Sequence, residues 1–191
     1  MKVIEGFVML KILSKFILWL SGWRKEGDIP SAKKFIVIVA PHTSNWDYVI
    51  GQLFYFSMGI RAKIMIKKEL FFFPLNLLFK LVGAIPVERG RKTGIVDQMV
   101  GEFSKRDKMI LTITPEGTRK RIAEWKKGFY RIAMKAEVPV LLGYFDYKRK
   151  VVGIGDFFEL SGNEREDMRK IKMFYKDVNA KHPEKFTIGK I

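Results

Sequence analysis

The chain contains no cysteine and only two histidines, His42 and His182. The missing cysteine excludes disulfides and thiolate zinc sites, and it is compatible with a reducing compartment. Two histidines far apart make a poor ligand set, so no metal is expected. No G-x-S-x-G elbow occurs either. If a histidine here acts as a base, its proton should therefore come from a substrate and not from an enzyme nucleophile. Internal repeats, low-complexity tracts and linkers are also absent. The apolar N-terminus, "MKVIEGFVMLKILSKFILWLSGW", is broken by Glu5, Lys11 and Lys15, and its longest unbroken run is too short to span a bilayer. No small-residue cleavage site of a signal peptide follows it.

Acidic residues are scarce beside basic ones. The 36 Lys and Arg against 20 Asp and Glu give a formal charge of +16. That balance implies an anionic partner: nucleic acid, an acidic lipid surface or a phosphorylated small molecule. The cations are scattered in pairs and triplets, such as Lys67-Lys68 and Arg119-Lys120-Arg121, with no single basic tail. At 191 residues and 48% apolar content the chain suits one domain with a real core. We divide it into an N-terminal helix (1–25) and one domain (26–191). Lys11 and Lys15 lie four apart on one helical face, with Leu, Ile, Phe and Trp on the others. This reads as an interfacial amphipathic helix with Trp19 and Trp23 near its end. The competing reading is a helix packed on the protein's own core.

Strand-like and helix-like segments alternate along the rest. "FIVIVA" (35–40), 62–67, 84–88, 108–114, 138–147 and 151–160 read as strands, the last with a glycine-rich kink. Helices are expected at 45–58, at 70–82 with Pro74 in the first turn, at 94–106, at 127–137 and at 163–182. The fold class is α/β: a mixed, largely parallel sheet with helices on both faces. The last two strands can pair as an antiparallel hairpin.

Three stretches carry chemistry. In "APHTSNWDYVIG", the first strand stops at Pro41, and Thr43, Ser44 and Asn45 are candidate helix caps. On one regular helix, His42 and Asp47 would point about 140° apart. With His42 in the loop and Asp47 in the first helical turn, the imidazole can curl back onto the carboxylate. The pair would then be a general base with an orienting acid. It would sit at the carboxyl end of a strand, where open α/β sheets bind ligands. Ser44-x-x-Asp47 equally resembles a capping box, with Asp in place of Glu or Gln. In "TITPEGTRKR" (112–121), Gly117 permits close backbone approach and Arg119 can grip a phosphate. In "GAIPVERGRK" (83–92), a strand delivers Arg89 and Arg91 to its end. Each of the last two stretches, taken alone, is also an ordinary basic turn.

Taken together and in this order, these stretches resemble the glycerolipid acyltransferase family of lysophosphatidate acyltransferase-like enzymes. His42 to Asp47 matches its H-x4-D block. Gly83 to Arg89 matches the second block, "PEGTR" (115–119) the third, and Val138-Pro139-Val140 the fourth. Lys127-Gly128 falls where the family often has Lys-Gly. The resemblance covers roughly residues 35–145. It implies transfer of a fatty acyl group from acyl-CoA or acyl carrier protein to a lysophospholipid hydroxyl, most directly that of 1-acylglycerol 3-phosphate. It implies His42 as base and Asp47 as its orienting partner, without an acyl-enzyme. Arg89 and Arg119 would hold the acceptor's phosphate, and Glu116, Gly117 and Thr118 would shape that pocket. Val138 and Pro139 would line the acyl or donor side. No cofactor is needed. The expected setting is an anionic membrane surface, peripheral or monotopic on the cytoplasmic face, with no nucleic acid. Amides near Asn45 are candidate oxyanion donors. The apolar run from Phe71 to Leu81 would dip into lipid, line an acyl tunnel or pack in the core.

The sequence departs from the family pattern beside the phosphate site. Thr114 replaces an aromatic or apolar residue, Lys120 follows Arg119 where serine is common, and Pro86-Val87-Glu88 replaces bulky apolar residues and an aspartate. Another lysolipid, including an amino-acid-linked one without phosphate, is thus an alternative acceptor. A non-catalytic basic module that binds membrane or nucleic acid would account for the charge. It would not account for His42, Asp47, Arg89 and Arg119 at the family's spacing.

Overall fold

The structure is a computed structural model and describes residues 2–88 and 92–190. Its centre is β2 (Lys34–Ala40), which follows α1 (Lys2–Leu20) and a short edge strand, β1 (Arg24–Glu26). β-Branched residues buried on both faces suit an interior strand. Phe35, Val37 and Val39 face α1 and α2 (Asn45–Ser57), where they meet Leu18, Ile50 and Phe54. Ile36, Ile38 and Ala40 face the opposite layer. The chain continues through β3 (Lys63–Lys67), α3 (Leu75–Leu81), β4 (Ala84–Val87), α4 (Lys92–Ser104), β5 (Met109–Ile113), α5 (Gly128–Ala136), β6 (Val140–Asp146), β7 (Val151–Phe158) and α6 (Glu164–Phe174). Met99 and Phe103 of α4, Phe129 and Ile132 of α5, and Ile171 of α6 fill that opposite layer.

Among the described residues, seven strands form one sheet in the order β1-β7-β6-β2-β5-β3-β4. All neighbours run parallel except β6 and β7, which pair antiparallel as expected. β2 lies between β5 and β6, so the loops that leave these three parallel strands gather at one end of the sheet.

Three local expectations need correction, and a fourth holds. β1 is too short and too charged to read from sequence; its pairing with β7 makes it a strand. The helix expected at 70–82 begins only at Leu75, after a single 3₁₀ turn at Lys68–Leu70. Pro74 lacks an N–H and disfavours helical geometry at Phe73, so the helix cannot extend back through it. β7 is one strand, and the expected glycine-rich kink appears in it as a shift of register against β6: Leu141 pairs with Phe157 and Gly143 with Ile154, with Gly155 between. Gly153 makes room for the Tyr144 ring, whose Cζ would lie 2.2 Å from a Cβ added there. The closing helix expected at 163–182 stops at Phe174, because the chain beyond it turns back to the site: the Tyr147 amide donates to the Asn179 carbonyl and the His182 amide to Thr43 Oγ1.

α1 packs on the domain along one side and leaves much of its apolar surface uncovered. Leu18 and Ser14 are buried on a narrow seam against the domain, whereas Met9, Ile12, Phe16, Trp19 and Leu20 are exposed. No helix among the described residues is long and apolar enough to cross a membrane.

Candidate active site

β2 ends at Ala40, and His42 lies in the bend before α2. Ser44 caps that helix. Its hydroxyl accepts from the Trp46 amide at 3.2 Å, while the Asp47 carboxylate accepts from the Ser44 amide at 2.9 Å. The same oxygen, Asp47 Oδ2, accepts from the Thr43 amide at 2.8 Å and lies 3.1 Å from His42 Nδ1. Capping box and histidine–carboxylate pair are therefore one arrangement: the cap fixes the carboxylate that the imidazole meets. Asp47 Oδ1 accepts from the Tyr147 hydroxyl at 2.5 Å.

Asp47 is only 2% exposed. Burial pushes its carboxyl up, but hydrogen bonds from His42, Tyr147 and the Ser44 amide outweigh that and hold it below its ordinary value. An ionised Asp47 favours the proton on His42 Nδ1 and leaves Nε2 with the lone pair. The imidazole is 21% exposed and lines a cleft.

The third block grips the same loop from the other side. After β5 the chain turns through Thr114–Gly117, where the Gly117 amide donates to the Thr114 carbonyl at 3.0 Å. Gly117 has φ +63°, a conformation that L side chains rarely adopt. A Cβ there would also lie 2.7 Å from Lys126 Nζ. This turn aims the buried Glu116 carboxylate at the His42 amide, which donates to its two oxygens at 3.0 and 3.1 Å. Burial pushes the Glu116 carboxyl up to about 7; the His42 amide opposes the rise and the Asp47 charge adds to it.

A cleft opens beside His42. Tyr48 and Gln52 of α2, Ile64 and Ile66 of β3, Leu70 and Phe79 line its largely apolar part. Thr114, Gly117, Lys67, Lys126 and Lys127 supply polar and cationic groups. The mixed lining suits a long apolar chain with an anionic head.

Of the residues anticipated from sequence, His42, Asp47, Glu116 and Gly117 come together. Thr118 is half-buried and its hydroxyl accepts from the Lys120 amide at 3.3 Å. Arg119 is exposed and is not among the residues lining the cleft. Arg89 and Arg91 lie outside the described residues. Val138 and Pro139, expected on the acyl or donor side, lie elsewhere. They precede β6, whose Val140 pairs with Ile36 near the start of β2, so they sit at the end of the sheet opposite His42. Val138 packs into the core. Of the candidate oxyanion donors near Asn45, the amides of Thr43, Ser44 and Trp46 already serve Asp47 and Ser44.

Sequence reasoning missed Tyr147, Lys67 and Lys126. Tyr147 follows β6 with no spacing that ties it to His42; only the adjacency of β6 and β2 could have pointed to it. Lys126 directly precedes Lys127-Gly128, which was the available signal.

A family model described as Acyltransferase matches residues 24–141. The crystal structure of the 1-acyl-sn-glycerophosphate (LPA) acyltransferase PlsC from Thermotoga maritima shares the fold, with a TM-score of 0.60 at 14% identity. That match covers 92% of this chain and 81% of the other. No curated protein sequence matches. The family model spans more than half of the chain and takes in His42, Asp47 and the Glu116 turn, and on that ground the chain belongs to the acyltransferase family.

Proposed function

We propose that this protein moves a fatty acyl group from a thioester, acyl-CoA or acyl carrier protein, to the free hydroxyl of a lysophospholipid, with 1-acylglycerol 3-phosphate as the first acceptor. The observation that carries this reading is the His42–Asp47 pair, with Nδ1 turned to a buried carboxylate and the ring at the wall of the cleft. His42 Nε2 takes the acceptor's hydroxyl proton as the oxygen attacks the thioester carbonyl. The tetrahedral intermediate collapses, the carbon–sulfur bond breaks, and the thiolate leaves with the proton from the imidazolium. The ester forms and His42 returns to its neutral state. Asp47 holds the tautomer and stabilises the imidazolium between the two proton transfers. General-base catalysis of this kind supplies about 10²- to 10⁴-fold, and positioning supplies further acceleration.

Lys67 and Lys126 join Arg89 and Arg119 as candidates for the acceptor's phosphate. The missing side chain at Gly117 leaves room for that of Lys126, which a Cβ there would crowd. The apolar wall from Ile64 to Phe79 would take an acyl chain. The exposed apolar residues of α1, with Phe72, Phe73, Leu77 and Leu81 around α3, are suited to the acyl boundary of an anionic bilayer. The charge of +16 would add attraction to its head groups. The setting we propose is the cytoplasmic face.

The test is turnover. Palmitoyl-CoA and a palmitoyl carrier protein are offered with lysophosphatidate, other lysophospholipids and a phosphate-free, amino-acid-linked lysolipid, in liposomes. The expected result is the highest kcat/KM with lysophosphatidate. A preference for the phosphate-free lipid would overturn the acceptor assignment. Failure to consume any thioester, with liposome binding intact, would leave a basic binding module.

A further inference from the structure

We infer that Tyr147 is a positioning residue for the acyl transfer: its hydroxyl fixes Asp47 Oδ1, so that Oδ2 stays on His42 Nδ1. The inference rests on the acyltransferase reading above. Asp47 Oδ2 is filled by two amides and the imidazole, and Tyr147 reaches the other oxygen at 2.5 Å. That is the short range of a phenol donating to an ionised carboxylate. A carboxylate can turn about its Cβ–Cγ bond, and a donor on Oδ1 opposes that turn. Without the phenol, a buried carboxylate oxygen would lose its partner, a state that costs far more than an ordinary hydrogen bond contributes.

The tyrosine itself is firmly seated. Its ring meets Trp23 edge-on, with centroids 5.0 Å apart. Lys181 Nζ lies 5.9 Å from the ring centroid, and the Tyr147 amide donates to the Asn179 carbonyl at 2.9 Å. The segments that follow α1 and α6 thus converge on one phenol. Packing against Trp23 and Lys181 needs only the ring, which isolates the hydroxyl as the functional part. Tyr147 also lies beyond residues 24–141, so none of the family's blocks assigns it a role.

The experiment compares wild type, Tyr147→Phe, Asp47→Asn and the double variant. Tyr147→Phe should lower kcat about 10- to 100-fold, as expected for a lost hydrogen bond to a buried charge. KM for lysophosphatidate and for the thioester should stay within about 2-fold, since Tyr147 is not among the residues lining the cleft. In the Asp47→Asn background the same change should alter kcat by less than about 2-fold, because the two residues act through one contact. The amide resonances of Thr43 and Ser44 provide a readout independent of turnover. They should shift in Tyr147→Phe while those of the central strands hold still. Wild-type kcat in Tyr147→Phe with unmoved Thr43 and Ser44 resonances would overturn the inference, as would an undiminished loss in the Asp47→Asn background. If wild type consumes no thioester, the acyltransferase reading fails, and the amide resonances alone decide the Tyr147 contact.

Discussion

Asp47 and Glu116 are two buried carboxylates that hold the same loop, one from inside the helix cap and one from the facing turn. Their carboxyls are shifted in opposite directions. Asp47 receives the His42 ring, the Thr43 and Ser44 amides and the Tyr147 hydroxyl, and its carboxyl lies below its ordinary value. Glu116 receives the His42 amide, faces the Asp47 charge, and is pushed up to about 7 by burial. The difference lies in the supply of donors, since both side chains are removed from water. One carboxylate is kept charged beside the His42 ring. The other is a hinge pin for the loop, and it can carry a proton near neutrality.

The harshest way to break this contrast is Asp47→Asn, which removes the charge and leaves the shape. Turnover should fall about 10²- to 10⁴-fold, with KM changed far less, because the imidazolium loses its partner only as it forms. A variant with kcat near wild type would remove Asp47 from the mechanism.

Glu116→Gln sharpens the comparison through pH. The folded carboxyl lies above its ordinary value of 4.5, at about 7. The stability of its protonated form is therefore fully present below about 4.5 and is lost as pH rises through about 7. Glutamine cannot ionise and still offers the His42 amide an acceptor. The variant should gain on wild type as pH rises across that window, by on the order of 3 kcal/mol. Thermal unfolding at several pH values measures it, and a difference independent of pH would contradict the buried, proton-holding state. For Asp47 the sign is opposite: its contribution is present above 3.8 and is lost as pH falls through its lower folded value.

Gly117→Ala tests the turn that aims Glu116. The residue sits at φ +63° and a Cβ would crowd Lys126. It should cost about 1 kcal/mol of stability and raise KM for an anionic acceptor more than it lowers kcat. Unchanged KM would separate Lys126 from acceptor binding. The smallest effect on stability belongs to the outer face of α1. Changing exposed Met9 and Ile12 to serine should move unfolding by less than about 0.5 kcal/mol, yet weaken liposome binding. Unaltered liposome binding would contradict the interfacial role.

Much of this was legible along the chain because it is local. The β-branched run of β2, the cap at Ser44 and the five-residue step from His42 to Asp47 are short-range patterns, and the hydrogen bonds follow them. The alternation of strands and helices likewise led to the sheet and its two covering layers. What was not legible depends on long-range adjacency. Tyr147 meets Asp47 across 100 positions, and His182 returns to Thr43 across 139. Val138 and Pro139 were placed at the site through their block, but the parallel register of β6 on β2 carries them to the far end of the sheet. Pro74 shows a local rule underused: its effect on Phe73 was enough to shorten the expected helix.

The central claim is that His42 is the base, and its removal tests that most directly. Thioester consumption by wild type and His42→Ala should be measured side by side in liposomes containing lysophosphatidate, with binding to the liposomes checked for both. The account predicts equal binding, turnover in wild type, and a loss of at least about 100-fold in the variant. Turnover by His42→Ala at the wild-type rate would contradict it.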